Sequence, residues 1–312
     1  MSQTPKHILL AVSDRDIQDL KAALQQQAPE MRVYTLEDNF PAASIDFAVL
    51  WKQPEGLLAQ LPALQGITSL GAGVDFILND PALPPDIPVA RIVAVDLKQQ
   101  MAQYVAAVVT RFHRRFPEFE QQQKARQWRV LPVAPAPVVG FAGFGQLGAF
   151  VAESLRPLGY RIASWTRQTK TAADMSFVGQ EGLWQLVEQS DFVINLLPLT
   201  AATRGIFNSQ TFAWMQQRKP VFVHAGRGPQ VIESDLIRAL DAGWLSHAVM
   251  DVFNTEPLPA ESPLWTHPAI TITPHLAARS DAYQTAAAIV RQCRALAAGQ
   301  PMPLQIDRHR AY

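Results

Sequence analysis

Cysteine is almost absent from this chain, and neither sign of charge is in excess. Cys293 is the single cysteine among 312 residues, so the chain cannot form an internal disulfide. It shares a helical apolar spacing with Ile289 and Leu296, which favours a small buried side chain over a nucleophile. Lys plus Arg and Asp plus Glu both number 27, without a long block of one sign. Nucleic acid and acidic membrane surfaces are therefore not expected as partners.

Long hydrophobic runs are also missing near the N-terminus. The apolar residues 8–12 are too few for the hydrophobic segment of a secretory signal or for a membrane span. We therefore interpret them as a first strand and expect a cytoplasmic protein that does not bind a membrane. Hydrophobic residues make up 48% and charged residues 17% of the chain, which is typical of folded globular proteins. The length is sufficient for two domains with substantial cores.

A glycine-rich segment at residues 138–148 is the strongest local signal. A strand-forming run ends there in the spacing Gly-x-Gly-x-x-Gly, and helical apolar spacing follows. This order suits the pyrophosphate of a dinucleotide, because the glycines allow a tight turn, a close approach to the phosphates and close packing of helix on strand. The helix N-terminus adds free N–H groups and a positive dipole end. The expected cofactor contacts are Gly143, Gly145, Gln146, Leu147 and Gly148.

Strand-like runs alternate with helical patterns on both sides of this segment, which predicts parallel βα units. In the first series, strands are expected at residues 8–12, 32–36, 46–51, 66–70 and 89–93, with helices at 16–26 and 55–60. In the second series, six strands are expected at residues 138–142, 161–165, 192–195, 221–224, 248–250 and 270–272. A long helix at residues 96–116, a polar helix at 118–126 and a proline-rich connector at 131–137 link the two series.

These patterns predict an α/β protein with two doubly wound parallel sheets. Residues 1–97 are expected to form a flavodoxin-like substrate-binding domain, completed by residues 280–312 through a final helix at about 281–298. Residues 98–279 are expected to form a Rossmann-type dinucleotide-binding domain.

The residues after the second strand of the dinucleotide-binding domain indicate which nicotinamide cofactor binds. An acidic residue about twenty positions beyond the glycines commonly holds the ribose 2′-hydroxyl. Here the segment contains Trp165, Thr166, Arg167 and Lys170, and no carboxylate occurs between residues 153 and 174. A hydroxyl and a guanidinium can bind a 2′-phosphate, whereas an acid would repel it. NADPH is therefore predicted over NADH; a solvated turn is the alternative interpretation of Arg167 and Lys170.

Polar side chains follow three of the apolar strands directly. Residues 224–228 contain an arginine, residues 251–257 a glutamate and residues 274–278 a histidine. Each residue type is common in loops when taken singly. Because ligands bind at the carboxyl ends of strands in open parallel sheets, these three are expected to converge near the nicotinamide. They are Arg227, Glu256 and His275.

Jointly, these motifs resemble the D-isomer-specific 2-hydroxyacid dehydrogenases over nearly the whole chain. The resemblance also includes Gly-Ala-Gly-Val-Asp at residues 71–75, Asn-Leu-Leu-Pro-Leu-Thr at 195–200 and Thr-Arg-Gly at 203–205. Within the family, the chain is most similar to the bacterial A-type glyoxylate/hydroxypyruvate reductases. That similarity is based on the length, Trp51 and residues 165–167, 261–265 and 305–308.

The resemblance implies catalytic roles. His275 would donate a proton to the substrate carbonyl oxygen during hydride transfer, and Glu256 would orient His275 and favour its imidazolium form. Arg227 would bind the substrate carboxylate and polarise the keto oxygen. The backbone N–H groups of Gly73 and Val74 would bind the other side of that carboxylate, in a cleft between the domains.

The resemblance also assigns residues to the nicotinamide end of the cofactor. Asp251 would face the carboxamide, and Pro198 would line the pocket. Leu197, Ala225 and Gly226 are the further cofactor contacts that it implies. Trp51 is a candidate wall of the substrate pocket, but a tryptophan that ends a strand is as often part of the core.

The chain departs from the family pattern just before Arg227. Many members have Asn-x-Ala-Arg-Gly, whereas this chain has His224 at the Asn position and Gly226 at the Ala position. His224 ends a predicted buried strand and is expected to be a hydrogen-bonded structural residue. These departures bear on activity level and substrate range rather than on reaction type.

The sequence therefore predicts a homodimeric reductase of small 2-oxo acids that prefers NADPH and uses NADH less well. Glyoxylate and hydroxypyruvate are the first expected substrates, giving glycolate and D-glycerate. One alternative is a D-lactate-type or phosphoglycerate-type dehydrogenase of the same family. A different class is a nicotinamide-sensing binding protein similar to transcriptional corepressors, against which the intact catalytic residues argue. No metal site is predicted.

Overall fold

The computed structural model describes residues 5–13, 15–132, 134–169 and 171–308, which form two compact units. The first unit comprises residues 1–97 and 280–312, and the second comprises residues 98–279. Each unit contains a parallel sheet with helices packed on it. The predicted fold class, two doubly wound parallel-sheet domains, is confirmed.

Among the described residues, the first unit contains a five-stranded sheet. Its strands are β1 His7–Val12, β2 Arg32–Thr35, β3 Phe47–Trp51, β4 Gly66–Ser69 and β5 Val89–Arg91. All neighbouring pairs are parallel, in the order β2-β1-β3-β4-β5. Apolar clusters cover both faces, which explains why strands such as β3 are apolar and buried at every position.

The second unit contains a seven-stranded sheet among the described residues. Its strands are β6 Val138–Ala142, β7 Arg161–Thr166, β8 Met175–Val178, β9 Phe192–Asn195, β10 Val221–His224, β11 His247–Met250 and β12 Ile270–Ile272. They are parallel, in the order β12-β11-β10-β9-β6-β7-β8. Strand addition reverses direction at β6, which lies between β9 and β7. The carboxyl edge beside that reversal is where ligands bind in such sheets.

Helices connect these strands. They are α1 Gln18–Gln27, α2 Asp75–Leu78, α3 Val95–His113, α4 Phe116–Lys124, α5 Gln146–Leu155, α6 Gly179–Gln189, α7 Ser209–Ala213, α8 Glu233–Asp241 and α9 Ala282–Ala297. In the first unit, α9 packs beside α1 and places Ile289 and Cys293 in the same apolar cluster as Leu20 and Leu24. Burial raises the pKa of the Cys293 thiol, so this cysteine is a core residue.

The structure differs from the sequence prediction in three local elements. A seventh strand, β8, was not predicted; its residues are partly exposed, as expected of an edge strand with weak apolar character. Residues 55–60 were predicted as a helix, but only a 3-10 turn, Leu58–Gln60, forms, because Pro54 and the left-handed Gly56 (φ +74°) interrupt the segment. The short helix α2 was also missed.

No helix within the described ranges combines the length and the apolar character needed to cross a membrane. Within the same ranges, no cluster of three or more His, Cys, Asp or Glu side chains is arranged to hold a metal ion.

Candidate active site

The glycine-rich turn joins β6 to α5 at the reversal point of the second sheet. Gly143 has a φ of +97°, and a Cβ there would lie 2.8 Å from the backbone carbon and oxygen of Leu196. A Cβ on Gly148 would lie 2.3 Å from the carbonyl oxygen of Gly143. Both positions therefore require glycine, the first for the turn and the second for the approach of α5 to the strand.

Gly145 is not required by the protein's own packing. Its φ is −76°, and no described atom beyond its chain neighbours comes within 4 Å of a Cβ placed there. No side chain of the described residues caps α5, and the first turn of α5 has no acidic residue. The N–H groups of Gln146 and Leu147 therefore belong to an open, electropositive helix end. The open space and the free donors fit the pyrophosphate of a dinucleotide.

The end of β7 lies beside the glycine turn. The Gly143 N–H donates to the Trp165 carbonyl oxygen over 3.2 Å. The Trp165 indole N–H donates to the Gly179 carbonyl oxygen at 2.6 Å, which fixes the ring, and the Thr166 hydroxyl donates to the carbonyl of Gln168. The predicted ribose segment is therefore next to the predicted pyrophosphate segment.

The charge of this segment is positive where it meets solvent. Arg167 is exposed, and Lys170 lies outside the described residues. Asp174, the next acid along the chain, lies at the other end of β7, where it accepts from the Ile162 N–H at 2.7 Å and from Arg156 Nη1 at 2.7 Å. The acid therefore does not occupy the carboxyl end of β7, and the segment fits a 2′-phosphate.

Arg227, Glu256 and His275 follow β10, β11 and β12, respectively. These strands are neighbours and parallel, so their carboxyl ends lie side by side on the edge that also carries the glycine turn. The convergence of the three segments at one edge agrees with the expectation from the sequence.

Glu256 and His275 are in direct contact. His275 Nδ1 lies 2.9 Å from Glu256 Oε2, and Glu256 Oε1 accepts from the Phe253 N–H at 3.1 Å. An ionised carboxylate only accepts hydrogen bonds, so Nδ1 carries the proton of this contact. The side chains of His275 and Glu256 are 33% and 21% exposed, which leaves the ring accessible. The pair is suited to proton transfer to a bound carbonyl oxygen.

Asp251 holds the segment that carries His275. Its Oδ1 accepts from the Leu276 N–H at 2.9 Å and its Oδ2 from the Ala277 N–H at 3.0 Å. Its carbonyl oxygen accepts from the His275 N–H at 2.9 Å. His275 has a left-handed φ of 51°, so these bonds stabilise an uncommon backbone conformation. The contact of Asp251 with the carboxamide stays a prediction.

A second residue on this loop connects Asp251 to α3. The Thr273 hydroxyl donates to Asp251 Oδ1 at 2.6 Å and lies 2.8 Å from the Tyr104 hydroxyl. Because Thr273 uses its proton on Asp251, Tyr104 is the donor in the second bond. Burial raises the pKa of Tyr104 to about 12, so its phenol remains protonated and keeps this role.

The residues predicted at the nicotinamide end are neighbours. The Ala225 N–H donates to the Asn195 carbonyl oxygen over 3.2 Å. A Cβ on Gly226 would lie 3.3 Å from the Leu197 carbonyl oxygen. Leu197 is buried, whereas Pro198 and Ala225 are partly exposed at the same strand ends. The structure thus groups these residues beside Arg227.

His224 is fully buried at the end of β10, as the sequence predicted. Its Nδ1 lies 2.9 Å from Asn195 Nδ2. Burial lowers its pKa to about 3, so the ring is neutral at any physiological pH.

In the first unit, Gly73 and Val74 lie between β4 and α2. The Ser69 hydroxyl donates to the Gly73 carbonyl oxygen at 2.6 Å and fixes the loop. No acceptor within the described part of the chain takes the N–H of Gly73 or Val74. These two donors are therefore available to a carboxylate.

Trp51 is mostly a core residue. Its ring makes an edge contact with Phe76 at a centroid distance of 5.5 Å, and the Arg15 guanidinium lies 4.2 Å from the ring centroid. Only 8% of the residue is exposed. Its predicted role as a wall of the substrate pocket stays a prediction.

Several residues that support the site were missed by sequence reasoning. Thr273 and Gln230 lie close to His275 and Arg227 in the sequence but outside the recognised motifs, and Tyr104 lies far from any of them. Asn195 was noted only as part of a family motif. Their shared signal is a polar side chain inside an apolar context, and that signal does not reveal the hydrogen-bond partner.

The chain is similar in sequence to proteins of a known family. The family model for the D-isomer-specific 2-hydroxyacid dehydrogenase NAD-binding domain matches residues 106–277. Glyoxylate/hydroxypyruvate reductase A of Klebsiella pneumoniae subsp. pneumoniae is 39% identical over 299 residues, which cover 93% of this chain and 94% of that protein.

Two solved structures are similar over almost the entire chain. A D-isomer-specific 2-hydroxyacid dehydrogenase from Xanthobacter autotrophicus, in complex with NADPH and MES, is 34% identical, with a TM-score of 0.92 and coverage of 99% of this chain and 100% of that one. An NADPH-dependent glyoxylate/hydroxypyruvate reductase from Sinorhizobium meliloti, in complex with NADP and sulfate, is 33% identical, with a TM-score of 0.89 and coverage of 98% and 100%.

Proposed function

Because the chain belongs to the D-isomer-specific 2-hydroxyacid dehydrogenase family, we propose that it is an NADPH-preferring reductase of small 2-oxo acids. Glyoxylate and hydroxypyruvate are the proposed substrates, and glycolate and D-glycerate the products. The observation that carries the proposal is the 2.9 Å contact between His275 and Glu256, on the sheet edge that also carries the glycine turn.

NADPH fits the residues of the second unit. The N–H groups at the start of α5 would hold the pyrophosphate, and Thr166 with Arg167 would hold the 2′-phosphate, with Trp165 and Lys170 as further proposed contacts. Leu197, Pro198, Ala225, Gly226 and Asp251 are the proposed contacts of the nicotinamide end. When bound, NADPH supplies the hydride that reduces the substrate carbon.

The side chains of the chain supply substrate binding and the proton. Arg227 binds the carboxylate through paired, charge-assisted hydrogen bonds and draws electron density from the keto oxygen. His275 donates the proton from Nε2 to that oxygen as it becomes a hydroxyl, and Glu256 stabilises the protonated ring beforehand. In the first unit, the N–H groups of Gly73 and Val74 are proposed as further donors to the carboxylate, and Trp51 as a neighbour of the substrate.

The test measures how fast the purified protein oxidises the reduced cofactor in the presence of a 2-oxo acid. Glyoxylate, hydroxypyruvate, pyruvate and 3-phosphohydroxypyruvate are each supplied first with NADPH and then with NADH. We expect the highest kcat/KM for the first two acids with NADPH. A higher kcat/KM with NADH contradicts the cofactor assignment, and preference for pyruvate or the phosphorylated acid favours the lactate-type or phosphoglycerate-type alternative.

The same assay separates the enzyme from a cofactor sensor. Tight NADPH binding without turnover of any of the four acids would contradict a reductase. It would favour the nicotinamide-sensing alternative, and a partner pull-down that requires NADPH but not Arg227 would then test that alternative.

We also propose a homodimer. Large apolar side chains are exposed from α4 into the connector: Trp128 is 98% and Val130 is 85% exposed. Such a concentration of exposed apolar surface is typical of a contact between proteins. Light scattering coupled to gel filtration measures the mass in solution, and a mass of one chain would contradict the dimer.

A further inference from the structure

A buried network of polar side chains contacts the backbone of Arg227. Its members Asn195, His224 and Gln230 are each 0% exposed. Asn195 Nδ2 lies 2.9 Å from His224 Nδ1 and donates to Gln230 Oε1 at 2.9 Å. The amide groups of Asn195 and Gln230 are hydrogen-bonded, whereas His224 Nε2 is buried without a hydrogen-bond partner among the described residues.

The hydrogen-bond partners fix the direction of each bond. Asn195 Oδ1 accepts from the Leu197 N–H at 3.1 Å, so the amide nitrogen of Asn195 must face His224 and Gln230. His224 Nδ1 is therefore an acceptor, and its ring carries the proton on Nε2. A neutral His224 keeps this role, since burial lowers its pKa to about 3.

Gln230 connects two segments of the site, Arg227 and residues 195–198. Its Oε1 accepts from the Arg227 N–H at 3.0 Å as well as from Asn195. Its Nε2 donates to the carbonyl oxygens of Leu197 at 3.0 Å and Pro198 at 2.9 Å. The side chain therefore uses both of its donors and accepts twice, which leaves it a single orientation.

The Gln230 side chain occupies the space beside the Cα atom of Gly226. A Cβ at position 226 would lie 2.4 Å from Gln230 Oε1 and 3.2 Å from Asn195 Nδ2. The φ of Gly226 does not lie in the left-handed region, so backbone conformation does not require glycine here. A methyl group would displace the Gln230 amide and break the bonds that it makes to Arg227 and Asn195.

We propose that Gln230 is the positioning residue for Arg227 and for residues 197–198, and that position 226 is glycine to admit the Gln230 amide. The inference deepens the proposed function, since Arg227 is its proposed carboxylate-binding residue. It also joins the two departures from the family pattern, His224 and Gly226, into one structural unit.

The first experiment compares Gln230→Met with Ser190→Ala. Methionine keeps the length of the side chain but removes the amide. Ser190 is a matched control, because it is also 0% exposed and donates to the Leu186 carbonyl oxygen at 2.7 Å, at the opposite edge of the same sheet. We expect Gln230→Met to raise the KM for the 2-oxo acid about tenfold, because a displaced Arg227 loses about one hydrogen bond to the substrate carboxylate, whereas Ser190→Ala leaves the KM unchanged.

The second experiment is a double-mutant cycle of Gly226→Ala and Gln230→Ala. Gly226→Ala alone should raise the KM about as much as Gln230→Met, because it displaces the same amide. In the Gln230→Ala background the space is open, so Gly226→Ala should add less than a further twofold change. Strictly additive effects in the cycle would overturn the proposal, as would equal KM values for Gln230→Met and the wild type.

Hydrogen–deuterium exchange keeps the inference testable without turnover. The Arg227 amide donates to Gln230 Oε1, so the segment 225–230 should exchange faster in Gln230→Met and Gly226→Ala than in the wild type or Ser190→Ala. If the wild type reduces none of the acids, the proposed function fails while faster exchange still supports the positioning of Arg227. Unchanged exchange in both variants contradicts the positioning even if the wild type is active.

Discussion

The first βα turns of the two sheets have the same position in the fold but opposite chemistry. β1 is followed by α1 and β6 by α5, and both strands lie at the reversal point of their sheets. At α1, Asp16 Oδ1 accepts from the Gln18 N–H at 2.9 Å, and Asp19 lies in the first turn. At α5, Gly145 is the N-cap, and the first turn has no acidic residue.

This difference shows that fold alone does not create an anion site. The acidic start of α1 already balances the positive helix end and would repel a phosphate. The start of α5 leaves its N–H groups open, and the glycines let a ligand approach them. The residues at a strand end therefore decide which of two equivalent positions is suited to a phosphate.

The largest expected effect concerns the histidines of the two units. His275→Ala should lower kcat by about 10²- to 10⁴-fold, because it removes the proposed proton donor, while NADPH affinity stays nearly unchanged. In the first unit, His7 Nδ1 lies 3.2 Å from the Tyr34 hydroxyl, so it has a polar partner but no proposed catalytic role. His7→Ala is the matched control and should keep kcat. Steady-state kinetics of both variants test the difference, and unchanged turnover in His275→Ala would disprove the role of proton donor.

The next prediction compares alanine substitutions at two glycines that have a positive φ. Gly143→Ala places a Cβ against the Leu196 backbone at 2.8 Å, whereas nothing lies within 4 Å of a Cβ on Gly56 in the first unit. We expect Gly143→Ala to lower the free energy of unfolding by about 3 kcal/mol and to weaken NADPH binding, whereas Gly56→Ala costs about 1 kcal/mol. Denaturant unfolding and cofactor titration measure both quantities. Equal losses of unfolding free energy in the two variants would show that the contact with Leu196 adds nothing to the cost of the substitution.

A smaller effect comes from making the start of α5 resemble that of α1. Gln146 and Gln18 are both exposed first residues of their helices. Gln146→Glu should weaken NADPH binding about 5- to 10-fold through repulsion of the pyrophosphate, yet stabilise the cofactor-free protein by about 0.3–1 kcal/mol through the helix dipole. Gln18→Glu should leave cofactor affinity unchanged. Tighter NADPH binding to Gln146→Glu would contradict the proposed location of the pyrophosphate.

The last prediction concerns the pH dependence of stability. The buried polar residues of the first sheet are hydroxyls, Thr35, Thr68 and Ser69, whereas β10 in the second sheet ends in the fully buried His224. The pKa of His224 is lowered by burial from 6.5 to about 3, so below pH 6.5 the unfolded state binds a proton that the folded state does not. Stability from this group is therefore present above pH 6.5 and is lost as the pH falls toward 3.

The variant His224→Asn isolates that contribution. Unfolding midpoints measured between about pH 7 and pH 4 should fall less steeply in the variant than in the wild type. Some slope should remain, because burial also lowers the pKa of His247 to about 4. An identical slope in both proteins would show that His224 does not titrate on unfolding.

The parts of the site that the sequence predicted are those carried by short, local patterns. The glycine spacing at residues 143–148 specifies a turn whose steric demands are met within a few residues, so it was recognisable without a structure. Arg227, Glu256 and His275 could be proposed because each follows an apolar strand directly, and parallel strands end at a common edge.

The parts that were missed depend on partners distant in the sequence. The edge strand β8 has a weak apolar pattern, and its existence depends on the pairing of residues 163–166 with 175–178. Tyr104 reaches Thr273 from 169 positions away, and Gln230 reaches Leu197 from 33 positions away. No periodicity in a sequence encodes such contacts, because they depend on how helices and strands pack.

The sequence by itself determined the family, the parallel α/β architecture and the residues proposed for the chemistry, because hydrophobic period and motif spacing are local properties of the chain. Only the tertiary structure decided which atoms lie beside position 226, which side chain contacts Nδ1 of the buried His224, and what holds His275 in a left-handed conformation. Each of these answers is a hydrogen bond or a steric contact between segments that are distant in sequence, and such contacts exist only after the chain has folded.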